Sequence, residues 1–231
     1  MKKNFVIIVA AGTGTRLGGN LPKQYQLLAN KPILMQTILK FLAAKVETEI
    51  IVVIAQEMEE FWKGLCQEFG FDYPIHTCIG GKSRFQSVKN ALTYIQGHFQ
   101  LDNDTKIAVH DAARPLLSTE LIDKIFATCD SNKPAVIPAI SSSNSIRIGS
   151  ADTSRAIDRN EVWQIQTPQT FIGELLIEAY KQEEDVIFTD DASVVEKMSN
   201  NIYLFPGENH NLKITYEEDL IIAHYLFNKF S

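Results

Sequence analysis

Phe5-Val6-Ile7-Ile8-Val9-Ala10-Ala11-Gly12-Thr13-Gly14-Thr15-Arg16-Leu17-Gly18-Gly19-Asn20-Leu21-Pro22-Lys23-Gln24 is the stretch that decides the fold. Residues 5–10 are apolar without alternation, the pattern of a strand buried on both faces of a parallel sheet. Four glycines then fall within eight residues, Gly12 to Gly19, and let backbone N–H groups approach an anion closely. A dinucleotide fingerprint would require glycine at position 17 and an acid about 20 residues further on. This chain has Leu17, and no acid before Glu47. A P-loop would require Gly-Lys-Ser/Thr, which does not follow. What remains is a glycine loop with an arginine and a lysine, which suits a triphosphate; the plain alternative is a strand–helix turn.

Working outward, residues 49–55, 74–78, 106–110 and 135–138 are further short apolar runs expected to be strands buried on both faces. Between them, Leu34, Ile38, Phe41 and Leu42 share one helical stripe, as do Val88, Ala91, Leu92 and Ile95. Ser118 with Glu120 marks a helix start, and Thr215 with Glu218 a capping box before the last helix. This alternation predicts an α/β fold of right-handed βαβ units with a mainly parallel sheet, whose ligands bind at the carboxyl ends of the strands. Residues 141–158 break the pattern. They are polar around two short apolar pieces, 146–148 and 156–157, with a Gly149-Ser150 turn between, and predict a hairpin projecting from the body.

The 231 residues suit one domain, 1–231, with the hairpin at about 141–158 as its arm. A composition of 45% hydrophobic residues supports a packed core, and the net charge of −6 argues against a nucleic-acid partner. The charge is uneven: residues 1–46 hold seven basic residues and no acid, so the remainder carries −13. A solvated basic face accounts equally well for the lysines of the first helix. Cys66, Cys78 and Cys129 are odd in number and widely spaced, which indicates neither a disulfide framework nor a zinc site. No apolar stretch approaches the roughly 20 residues of a membrane span. A cytoplasmic protein without a membrane partner is expected.

Three later clusters carry chemistry. Gly80-Gly81-Lys82-Ser83-Arg84-Phe85-Gln86-Ser87 follows a short strand and opens a helix, with Ser83 and Gln86 spaced as a capping box. A basic helix start of this kind suits a nucleotide, although an ordinary capped helix explains it as well. His110-Asp111-Ala112-Ala113-Arg114-Pro115 ends a strand, where an acid can support magnesium among phosphate and water oxygens. His110 is expected to be a hydrogen-bonding structural residue. Thr189-Asp190-Asp191 reads equally as a helix cap, whereas Lys213 before Thr215 has no such explanation.

In order along nearly the whole chain, these segments resemble 2-C-methyl-D-erythritol 4-phosphate cytidylyltransferases of the non-mevalonate isoprenoid pathway. The resemblance is carried by Ala10-Ala11-Gly12-x-Gly14-x-Arg16, Pro22-Lys23-Gln24-Tyr25, Gly80-Gly81-x-x-Arg84-x-x-Ser87-Val88 and Val109-His110-Asp111-Ala112-Ala113-Arg114-Pro115. Asp158-Arg159-Asn160, Gln166-Thr167-Pro168-Gln169-x-Phe171, Thr189-Asp190-Asp191-Ala192-Ser193 and Asn211-x-Lys213-Ile214-Thr215 complete it. It implies a Rossmann-like nucleotidyltransferase fold, magnesium (Mg2+) as cofactor, and a homodimer exchanging its arms. Ala10, Ala11, Gly12 and Gly14 would wrap the CTP phosphates; Gly81 and Ser87 would hold the cytosine, and Ala112 would lie at the ribose. Arg16, Lys23 and Lys213 would be the catalytic cations, with Asp111 near metal and substrate. Thr167, Thr189, Ser145 and, in trans, Arg159 would address the sugar phosphate. Two departures stand out: Asn144-Ser145 replaces the usual Asp-Thr of the arm, and Lys82 stands where an acid is common.

A phosphate monoester, with a second pKa of about 6, is largely a dianion at neutral pH and needs no general base. It needs cations to offset repulsion from the triphosphate and to stabilise charge at the α-phosphorus. A ribitol 5-phosphate cytidylyltransferase shares most of these motifs; Ala112-Ala113 and Ala192-Ser193 look more like the methylerythritol enzyme. A catalytically silent nucleotide-binding regulator and a Rossmann oxidoreductase are the rivals from other classes. Arg16 and Lys23 argue against the first, and the missing ribose acid against the second.

Overall fold

The computed structural model describes residues 3–12, 21–198 and 201–230. Its elements are β1 (Asn4–Ala10), β2 (Leu27–Leu28), β3 (Lys31–Pro32), α1 (Ile33–Ala43), β4 (Thr48–Ile54), α2 (Glu59–Glu68), β5 (Ile75–Ile79), α3 (Arg84–His98) and β6 (Lys106–Asp111). There follow α4 (Thr119–Thr128), β7 (Ala135–Ser141), β8 (Ile146–Gly149), β9 (Ser154–Ile157), β10 (Trp163–Ile165), β11 (Gln169–Ile172), α5 (Gly173–Ala179), α6 (Asp191–Glu196), β12 (Tyr203–Pro206) and α7 (Glu217–Phe230).

The main sheet runs β10-β7-β11-β6-β1-β4-β5, with β12 added against β7. β5, β4, β1 and β6 are mutually parallel, in a register that pairs Ala10 with Ile54, Ile54 with Ile79, and Val9 with Asp111. Their carboxyl ends therefore share one edge. β11 runs antiparallel to β6 and pairs Gln169 with Val109, so it delivers the residues before it to that same edge.

The apolar runs work as expected because alternate residues feed opposite faces. Phe5, Ile7, Ile51 and Val53 pack with Val88, Ala91, Leu92 and Ile95 of α3 and with α5 and α6. Val6, Ile8, Ile50 and Val52 pack with Leu34, Ile38 and Phe41 of α1 and with α2 and α4. Each such side chain contributes about 1.5–3 kcal/mol on burial. The three cysteines are unlinked, and burial pushes the Cys129 thiol up to about 12. Among the described residues no helix is long and apolar enough to cross a membrane.

Four details correct the sequence reading. β5 is an edge strand and only partly buried: among the described residues no further strand pairs with its far side. The antiparallel strands β10 and β11 were not expected; at three and four residues they are too short for a periodic signal. α7 does not start from a Thr215 box: the Asp219 carboxylate reaches back to accept from the backbone N–H groups of Thr215 and Tyr216, at 2.8 and 2.9 Å. Ser83 caps α3, but Gln86 turns forward to Asn90 instead of closing a box. Residues 141–158 do contain an exposed two-stranded hairpin, β8 with β9, turning where Gly149 takes φ +131°.

Candidate active site

Two cavities open at the carboxyl edge. The first, of about 390 Å³, lies between the end of β1 and the start of α3. Its walls include Ala10, Ala11, Gly12, Gly81, Ser87 and Ala112, together with Lys23 and Lys82. Gln24 holds the near wall in shape. Its buried amide donates to the carbonyls of Ala10 at 2.6 Å and Gly12 at 2.7 Å. The far wall is fixed by Ser87, whose hydroxyl donates to the Ser83 carbonyl at 2.8 Å and accepts from Gly81 N–H at 3.1 Å. With its proton used, Ser87 Oγ has only a lone pair left to offer a ligand. Gly80 joins the walls: a Cβ there would fall 2.5 Å from Ala11 Cβ and 2.9 Å from Ser87 Oγ.

The second cavity, of about 260 Å³, is lined by Arg114, Gln166, Thr167, Gln169, Thr189 and Asp190. Asp190 caps α6 with one oxygen and accepts from Gln169 Nε2 at 2.8 Å with the other. Only Arg84, Asp111 and Lys213, among the described residues, line both cavities.

Asp111 is the hub. Its Oδ2 lies 3.1 Å from Lys213 Nζ and 3.2 Å from Arg114 Nε, and its Oδ1 4.0 Å from Arg84 Nε. Burial alone would raise its pKa, but Lys213, Arg84 and Arg114 outweigh this and hold the carboxyl well below the usual range. Lys213 is kept near by its loop: Arg114 Nη1 donates to the Asn211 carbonyl at 2.8 Å, and Lys23 Nζ to the Ile214 carbonyl at 2.7 Å.

Behind Asp111 lies a closed relay. His110 is fully buried, and burial pulls its pKa down to about 3, so the ring is neutral. Its Nε2 faces the Arg114 carbonyl at 3.2 Å, an acceptor only, and therefore carries the proton. Nδ1 is left to accept from the Thr167 hydroxyl at 2.9 Å, while that oxygen accepts from Asp111 N–H at 3.1 Å. Thr167 consequently has no proton for a phosphate.

A cavity lined by Gly12 and Gly81 thus meets a second one at Arg84, Asp111 and Lys213. The profile of the family "2-C-methyl-D-erythritol 4-phosphate cytidylyltransferase" matches residues 4–229. The chain belongs to this family. The enzyme of that name from Bacteroides fragilis is 41% identical over 217 residues, covering 94% of this chain and 96% of that protein. The one from Azobacteroides pseudotrichonymphae is 40% identical, covering 99% and 100%. The crystal structure of the Francisella tularensis enzyme has a TM-score of 0.78 at 31% identity, covering 97% of this chain and 100% of that one.

Within the family frame, the expected residues divide into three groups. Ala10, Ala11, Gly12, Lys23, Gly81, Ser87 and Ala112 line the first cavity, Thr167 and Thr189 the second, and Asp111 and Lys213 both. Ser145 and Arg159 are exposed and line neither; Arg159 Nη1 donates to the Ser143 carbonyl at 3.1 Å. Gly14 and Arg16 lie outside the described residues. Gln24 and Arg84 both fall within the motifs quoted above, yet the sequence assigns neither a task. Their signal was present only as a polar side chain with no evident solvent role beside a glycine cluster.

Proposed function

We propose that this chain transfers CMP from CTP to 2-C-methyl-D-erythritol 4-phosphate, giving 4-diphosphocytidyl-2-C-methyl-D-erythritol and pyrophosphate. The observation that carries the reading is the junction of the two cavities at Arg84, Asp111 and Lys213, where a nucleotide phosphate and an incoming phosphate would meet. Family membership favours it over the ribitol phosphate, silent-regulator and oxidoreductase readings.

The first cavity takes the nucleotide. Backbone N–H groups of the loop at Ala11 and Gly12 face the triphosphate, and Lys23 neutralises it. Arg16 is assigned the same work from its place in the motif. Ser87 Oγ, with a lone pair to offer, accepts from the cytosine 4-amino group, a donor that uracil lacks. The second cavity takes the phosphate dianion beside Arg114 and Lys213, with Thr189 at the polyol. Attack needs orientation and charge neutralisation, not a base.

Magnesium suits the donor set. Among the described residues Asp111 alone brings a carboxylate to the first cavity, and with Lys213, Arg114 and Arg84 already facing it, a magnesium ion would be held chiefly by phosphate and water oxygens. When bound, the ion would neutralise the phosphates and polarise the α-phosphoryl group.

The chain works as one domain, 1–231, and pairs with a second copy through residues 141–158. Exposure of the β8–β9 hairpin, and of Ser145 and Arg159 beside it, supports delivery of both residues to the partner's site. A cytoplasmic location suits an enzyme that consumes CTP. A pyrophosphate-release assay with CTP and each polyol phosphate tests the assignment. Methylerythritol phosphate is expected to be the better substrate by about tenfold or more, and equal or better turnover of ribitol 5-phosphate overturns it.

A further inference from the structure

Arg84 is the one residue at the junction of the two cavities without an assigned task. It opens α3, immediately after the Gly80-Gly81 loop. Its guanidinium forks onto Asp191, Nη1 to Oδ1 at 2.9 Å and Nη2 to Oδ2 at 2.6 Å. Asp191 is fully buried and also accepts from the Tyr180 hydroxyl at 2.6 Å. The neighbouring Phe85 stacks on Tyr180 at 4.7 Å and on Phe188 at 5.6 Å, and Phe188 directly precedes Thr189. The fork thus locks the wall of the nucleotide cavity to the wall of the phosphate cavity.

A fork satisfied by Asp191 leaves the Nε–H clear of it, and that edge faces Asp111 Oδ1 at 4.0 Å. Arg114 and Lys213 both engage the other oxygen, Oδ2. Arg84 therefore adds a positive charge on the Oδ1 side of the carboxylate, at ion-pair rather than hydrogen-bond distance. Lysine could not replace it, because one ammonium cannot fork onto Asp191 and reach Asp111 as well.

We propose that Arg84 is a positioning residue for the transfer: held by Asp191, it fixes the Asp111 carboxylate, and with it Lys213, at the point where the two substrates meet. The inference rests on the transferase reading above. A purely structural pair makes a different forecast, since a buried ion pair can often be exchanged for a neutral one at little cost in stability.

Two variants test it. Arg84→Gln combined with Asp191→Asn keeps hydrogen-bonding groups at both positions without charge, and Arg84→Lys keeps the buried charge balanced. Both are expected to fold and to bind CTP within about threefold of wild type, while kcat/KM for the polyol phosphate falls by about 10²-fold, as displaced reacting groups do. Either folded variant turning over the polyol phosphate within threefold of wild type overturns the proposal, as does an equal loss of CTP affinity, which would mark a general loosening. Should the paired variant not fold, Arg84→Lys carries the test. Wild-type protein that binds CTP yet transfers nothing would instead overturn the functional reading itself.

Discussion

Lys213 Nζ and Arg114 Nε converge on a single oxygen, Asp111 Oδ2, at 3.1 and 3.2 Å. Asp111 thereby holds two cations at the mouth of the second cavity and keeps them from folding onto solvent. Asp111→Asn removes the charge that gathers them. The magnesium concentration for half-maximal rate is expected to rise, because the carboxylate also supports the metal–phosphate array. Superimposable magnesium titrations for variant and wild type would leave Asp111 a purely structural partner of Arg114.

Lys23→Met is expected to lower turnover by about 10²-fold, as the loss of a preorganised transition-state donor does. The same substitution frees the Ile214 carbonyl, and so loosens the loop that carries Lys213. The far-ultraviolet circular dichroism spectrum should stay unchanged. Turnover within threefold of wild type would remove Lys23 from the reaction.

Thr167 separates bracing from binding. Thr167→Val leaves the Asp111 N–H and His110 Nδ1 without their partner, which costs about 1–3 kcal/mol. Thr167→Ser keeps both bonds and should fall within about 0.5 kcal/mol of wild type, apart from the lost methyl group. Urea denaturation distinguishes them. Equal stability of the Val and wild-type proteins would overturn the bracing role of the hydroxyl.

The buried His110 makes stability depend on pH. Its folded pKa of about 3 lies below the ordinary 6.5. Above pH 6.5 neither state binds the proton; below it the unfolded chain does and the folded chain does not. Stability should therefore fall as pH drops from about 6.5 towards 3, and His110→Gln should flatten that slope. Parallel melting-temperature profiles for the two proteins would contradict it.

Arm exchange predicts complementation. Lys23→Met and Arg159→Ala proteins, each inactive, are unfolded together and allowed to re-form dimers at random. If Arg159 acts in trans, each mixed dimer has one intact site, and about a quarter of wild-type activity returns. Dimers that re-form without activity remove Arg159 from the neighbour's site.

Most of the frame was legible because it depends on local rules. The runs feeding β1, β4 and β6 are apolar on both faces, and a run of that kind has few other places to go. The glycine clusters were legible for the same reason, since they serve backbone geometry. Relations between distant residues were not. Asp219 replacing Thr215 as a cap, and Arg84 meeting Asp191 across 107 positions, follow from packing. The use of the Thr167 proton followed only from which atoms of His110 and Arg114 face each other.

Gly80 sets the width of the whole site. Ala11 Cβ and Ser87 Oγ border the space that its missing side chain leaves open, 2.5 and 2.9 Å from where a Cβ would stand. A methyl group there would act as a wedge, pushing Ala11 and Ser87 apart and so widening the slot proposed for the nucleotide. The resulting protein would fold, carry the full set of charges, and hold its nucleotide out of reach of the second substrate. Drift at this position is thus read out as lost reach, ahead of any loss of fold.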